Sequence, residues 1–132
     1  MEIRHGNHCV YGLNYHFVWC PKYRHSFLNS VEETLTEALY ESIDGTAMGI
    51  LSMHVSPDHV HLFVSGTPTM SPSDIVRRIK SSSARRLWSE CNETMEKLYW
   101  GGGCWERSYY VGTAGVAAGE TIQRYIERTN HL

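Results

Sequence analysis

The run Asp58-His59-Val60-His61-Leu62 holds the side chains best suited to chemistry. On a β-strand, successive side chains alternate between faces. His59 and His61 then share one face, while Val60, Leu62 and Val64 point into a core. Two neutral imidazoles side by side can bind one divalent ion and leave coordination positions open, as catalysis requires. An isolated His-x-His is more often two half-exposed histidines that happen to alternate, so the pair alone decides nothing. His16 and His54 fall on neighbouring expected strands and fit either a ligand contact or a satisfied polar group. Phe63, on the same face, could stack a planar ring of a ligand or simply cover the sheet.

The elements that would position this pair can be read along the chain. Residues 10–20 are rich in Tyr, Phe, Val and Trp and stop at Pro21, which predicts a first strand. Ser30 is an expected N-cap with Glu33 as its capping-box partner. Val31, Leu35, Leu39 and Ile43 then form a helical stripe ending near Gly45. Strand two is expected at 46–55, a turn at Ser56-Pro57-Asp58, and strand three at 59–65. Ser71-Pro72-Ser73-Asp74 opens a second helix with proline near its first turn. Gly101-Gly102-Gly103 reads as a turn, 104–112 as a fourth strand, 112–119 as a glycine-punctuated linker, and 120–129 as a last helix. The order β-α-β-β-α-β plus one helix is the ferredoxin-like (RRM-like) α+β arrangement, an antiparallel sheet with strands one and three central. Both helices would cover one face, leaving the histidine face for ligands.

The 132 residues fit one domain, 1–132, and 42% hydrophobic content is enough for a real core. A net charge of −2 argues mildly against sequence-indifferent binding of duplex DNA. The charges are unevenly placed, however. Lys22, Arg24 and His25 form one basic cluster, and Arg77, Arg78, Lys80, Arg85 and Arg86 another, with acidic residues at 32–44 and 90–96. Arg77, Arg78 and Lys80 are the first candidates for phosphate contacts, followed by Lys22 and Arg24. The alternative for each cluster is a solvated face. Cys9, Cys20, Cys91 and Cys104 form no Cys-x-x-Cys pair, so reduced thiols are expected rather than a zinc knuckle. No window approaches a membrane span, and the polar start shows no signal peptide, so a cytoplasmic protein with no membrane partner is expected.

Five ordered segments together carry a resemblance: Tyr15-His16-Phe17-Val18-Trp19-Cys20-Pro21-Lys22-Tyr23-Arg24; Pro57-Asp58-His59-Val60-His61-Leu62; Ser71-Pro72-Ser73-Asp74-Ile75-Val76; Ser108-Tyr109-Tyr110-Val111-Gly112-Thr113; and Glu120-Thr121-Ile122-Gln123-Arg124-Tyr125-Ile126-Glu127. The chain resembles the single-tyrosine transposases of the HUH endonuclease superfamily, the TnpA-like proteins of small bacterial and archaeal insertion sequences. The resemblance implies that His59 and His61 are metal ligands for Mg²⁺ or Mn²⁺ and that Tyr125 is the nucleophile. It also implies a homodimer acting on single-stranded DNA with subterminal hairpins, and no organic cofactor. Many relatives carry a glutamine four residues after the nucleophile as a third ligand. Here that position is Thr129, and Thr129, Asn130 or water would take the role.

The chemistry is coherent with that implication. A divalent ion neutralises charge on non-bridging phosphate oxygens, and a tyrosine attacking in line stores the bond energy as a 5′-phosphotyrosine. By spacing alone, Ile122, Tyr125, Ile126 and Thr129 make an ordinary apolar helix stripe. Tyr109 and Tyr110 are rival nucleophiles, although neighbours on a strand face opposite ways. Trp19, Trp88, Trp100 and Trp105 fit core or dimer contacts, and Trp105, Tyr109 and Val111 an edge that seeks a partner. Two other functions compete: a degenerate relative that binds hairpins without cleavage, which Thr129 motivates, and a small metallohydrolase using the His pair without Tyr125.

Overall fold

The computed structural model of the chain describes residues 4–5 and 10–113. Two short strands, β1 (Arg4–His5) and β2 (Val10–Tyr11), pair with each other. The main sheet contains β3 (Asn14–Trp19), β4 (Gly49–Ser56), β5 (His59–Ser65) and β6 (Tyr110–Thr113). Its order is β4-β5-β3-β6 and every pairing is antiparallel. Strands β3 and β5 are therefore central, as a ferredoxin-like α+β fold requires. The helices are α1 (Glu32–Ser42), α2 (Pro72–Glu90) and α3 (Asn92–Tyr99).

One sheet face is buried under α1 and α2. Phe17 and Trp19 of β3 and Val60, Leu62 and Val64 of β5 meet Leu35 and Leu39 of α1 and Ile75, Ile79 and Leu87 of α2 in a single apolar cluster. The opposite face carries His16, His61 and Phe63, and β5 reaches it by the alternation expected from the sequence.

Several boundaries differ from expectation. The first strand is broken after Tyr11, because Val10–Tyr11 turns aside to pair with β1. The capping box at Ser30 and Glu33 does not form. Leu28–Val31 is a 3₁₀ turn in which the Ser30 hydroxyl donates to the Phe27 carbonyl at 2.7 Å, and α1 starts only at Glu32. The tighter turn buries both Leu28 and Val31. Strand two begins at Gly49 rather than 46, and the turn before strand three is only Pro57 and Asp58. The fourth strand is confined to 110–113. Trp105 instead makes an isolated bridge to Pro21, and its indole donates to the Ser83 hydroxyl at 3.1 Å inside the core. Trp105 is therefore not part of an exposed edge. Helix α3 was not anticipated. The acidic run at 90–96 masked the apolar pair Met95 and Tyr99, which is buried. The linker beyond 113 and the final helix at 120–129 lie outside the described residues.

Candidate active site

Strand register brings four histidines together. His61 on β5 lies opposite Val18 on β3 and opposite His54 on β4. His16 lies opposite Phe63, one step along the same face, and its ring stacks on that phenyl at 4.1 Å with 7° between planes. The His59 and His61 rings are 4.9 Å apart, and His54 and His61 are 6.1 Å apart.

Each residue of the His-x-His pair has one nitrogen engaged. His59 Nδ1 contacts Asp58 Oδ1 at 2.8 Å, and Asp58 Oδ2 is held by Arg24 Nε at 2.9 Å. His61 Nδ1 lies 3.1 Å from His16 Nε2. The Nε2 atom of both rings is left uncommitted by the described hydrogen bonds. Burial, and then the neighbouring His59, His16 and His54, push His61 down to about 4, and burial also lowers His16. His61 is thus neutral near pH 7, the form that ligates a metal. The donor set fits a divalent ion as a partial site. Among the described residues, no group of three or more His, Cys, Asp or Glu side chains is arranged to hold one.

The other expected site residues are placed as follows. Arg24 is committed to Asp58, and both Tyr23 and Arg24 have left-handed backbone, with φ of 59° and 52°. For non-glycine residues this costs on the order of 1 kcal/mol or more each. The turn directs the Arg24 guanidinium back towards the strand that carries His59. Lys22 donates to the Gly102 carbonyl at 3.3 Å. On α2, Arg78 donates to the Ser42 carbonyl at 2.7 Å, Lys80 to the Glu106 carbonyl at 2.6 Å, and Arg86 binds Glu37, Glu41 and Glu90. Much of that basic cluster therefore joins α2 to its neighbours. Arg77 is exposed and, among the described residues, pairs only with exposed Asp74 in the same helix turn. Tyr110 faces the histidines, its ring 5.8 Å from His16, whereas Tyr109 turns to the core against Phe17. Tyr125, Thr129 and Asn130 lie outside the described residues. A concavity of about 560 Å³, lined by Val76, Arg77, Lys80, Trp105, Arg107 and Tyr109, lies on the helix side, away from the histidines. Cys91 and Cys104 are free thiols, and both Cys20 and Cys104 are buried.

The sequence did not reveal the partners of the pair. His16 contacts His61 across 45 residues, and only the β3–β5 register shows it. Asp58 was more accessible, since an acid adjoining a ligand histidine is a local signal.

The family model for IS200-like transposases matches residues 9–129. The chain belongs to the IS200-like transposase family. It is 39% identical over 128 residues to the ISDra2 transposase TnpA of Deinococcus radiodurans, covering 96% of this chain and 91% of that one. A crystal structure of a candidate transposase from Deinococcus radiodurans R1 superposes with a TM-score of 0.85 at 35% identity, covering 96% of this chain and 97% of that chain. A REP-associated tyrosine transposase bound to a REP hairpin shares the fold, with a TM-score of 0.58 at 14% identity over 94% of this chain and 68% of that one. For this IS200-like transposase, no helix among the described residues is long and apolar enough to cross a membrane.

Proposed function

We propose that this transposase cleaves and rejoins single-stranded DNA at insertion-sequence ends, as a homodimer, through a 5′-phosphotyrosine on Tyr125. His59 and His61 would hold Mg²⁺ or Mn²⁺, with Thr129, Asn130 or water completing the set. The observation that carries this reading is the arrangement of the two imidazoles: among the described residues each has its Nδ1 engaged and its Nε2 uncommitted, on a sheet face that α1 and α2 do not cover. An open face accommodates a strand of DNA, whereas an enclosed pocket would favour a small molecule. When bound, the ion withdraws charge from the non-bridging phosphate oxygens.

The Tyr125 phenolate attacks phosphorus in line, the P–O3′ bond breaks, and the departing 3′ oxygen takes up a proton. Attack by a 3′-hydroxyl on the phosphotyrosine reverses the step and releases the tyrosine, so joining needs no nucleotide cofactor. His59 is oriented by Asp58, and Asp58 by Arg24. Hairpin recognition is proposed by analogy with the REP-associated relative of the same fold. Exposed Arg77 of α2 is the first proposed phosphate contact, with Lys22 second.

The test is adduct formation. Single-stranded element ends incubated with the protein and Mn²⁺ should give a covalent protein–DNA species that is lost in Tyr125→Phe and retained in Tyr110→Phe. An adduct undiminished in Tyr125→Phe would remove Tyr125 from the mechanism. Tight hairpin binding with no adduct in either metal would favour the non-cleaving reading that Thr129 motivates.

A further inference from the structure

We propose that His16 is a positioning residue that sets the tautomer of His61. The Nδ1–H of His61 donates to His16 Nε2, which leaves the Nε2 lone pair of His61 free for a divalent ion. The inference rests on the ion-binding reading of the His pair and deepens it.

The geometry restricts the choices. The two nitrogens are 3.1 Å apart, so one proton lies between them. A neutral imidazole has one N–H and one lone pair. If His16 were the donor, the His61 lone pair on Nδ1 would be consumed and its proton would sit on Nε2, leaving nothing to ligate a metal. Only donation from His61 is compatible with ligation through Nε2. His16 is built to be a fixed acceptor. It is 4% exposed, its ring is stacked on Phe63, and the edge of Tyr110 closes the other side. The cross-strand register places it there, because Val18 opposes His61 and His16 opposes Phe63. His59 meets the same need differently, with the Asp58 carboxylate as acceptor. The two ligands are thus backed unequally, one by an anion and one by a neutral ring. Outer partners of this kind orient metal ligands and typically change affinity by about 10–100-fold when removed.

Two measurements decide it. Two-bond ¹H–¹⁵N correlation spectra of the metal-free, ¹⁵N-labelled protein should show the His61 proton on Nδ1. Calorimetric titration with Mn²⁺ should show affinity falling about 10–100-fold in His16→Phe, which keeps a ring against Phe63 but has no acceptor. His16→Gln, whose amide carbonyl can accept, should recover part of the loss. A purely structural role for His16 would not follow acceptor chemistry in this way. A His61 proton on Nε2, or equal Mn²⁺ affinity in wild type and His16→Phe, overturns the inference. Wild-type protein that takes up no Mn²⁺ counts against the ion-binding reading itself, and the tautomer then decides the inference alone.

Discussion

Lys80 donates to the carbonyls of Glu106, Arg107 and Ser108, at 2.6, 3.4 and 3.4 Å, and so fixes the segment leading to β6 onto α2. Burial pushes its ammonium down to about 8, which still leaves it a cation and a full donor at pH 7. Replacing it with methionine strands these carbonyls beside an apolar side chain. Lys80→Met is expected to lower stability by about 1–3 kcal/mol in urea unfolding, without changing the salt slope of DNA binding. Retained stability together with a slope reduced by about one would assign Lys80 to a phosphate instead. The sequence placed Lys80 in a basic run and could go no further, because its acceptors lie 26 to 28 residues away. The His59–His61 pair was legible for the opposite reason, since strand alternation is a local property. His16 belongs with Lys80: its identity was visible, but its partner was not.

Ser71 and Ser30 carry similar signals, a serine followed three residues later by an acid, yet only one caps a helix. The Ser71 hydroxyl accepts the Asp74 N–H at 3.1 Å, and Pro72 follows at the first helical position. At Ser30 the chain is held by two other demands. Leu28 donates its N–H to the Pro57 carbonyl, and both Leu28 and Val31 must enter the core, so a 3₁₀ turn forms and the serine becomes a donor within it. Tertiary packing overrode a local signal there. Ser71→Ala should therefore cost about 1 kcal/mol, and Ser30→Ala less than about half of that, read as shifts in urea midpoint at constant slope. Equal losses would mean that the Ser30 contact matters as much as a cap. Helix α3 shows no clear stripe in the sequence because its apolar residues, Met95, Leu98 and Tyr99, are few and stand in a charged stretch. Its position is fixed by long-range contact, the Tyr99 hydroxyl donating to the Lys22 carbonyl at 2.8 Å. That bond also holds the Lys22–Arg24 turn, so α3 supports the site from a distance.

At the scale of the whole molecule, the sheet order leaves β4 and β6 at the edges. Among the described residues, β6 pairs only with β3, and it has four residues with Val111 37% exposed. An unpaired edge of this kind invites a second strand, and in an isologous dimer the same edge would serve both chains. Trp105 takes no part, since it is held in the core by Ser83, and Tyr109 packs inward. The proposed dimer contact therefore reduces to the backbone of Tyr110–Thr113 and the Val111 side chain. Light scattering at micromolar concentration is expected to give twice the 15.1 kDa chain mass. A lysine at an edge strand opposes edge pairing, so Val111→Lys should return the chain mass with little loss of stability, Val111 lying at the rim. A wild-type mass of one chain would refute the dimer, and a Val111→Lys protein that remains dimeric would move the interface away from β6. The same variant bears on catalysis. Tyr125 follows Thr113 closely in sequence, so joining two chains at β6 brings the start of one nucleophile segment near that of the other. If Tyr125 attacks at the partner's histidines, the monomeric variant should lose adduct formation while still binding Mn²⁺. If it forms the adduct as a monomer, Tyr125 serves the histidines of its own chain.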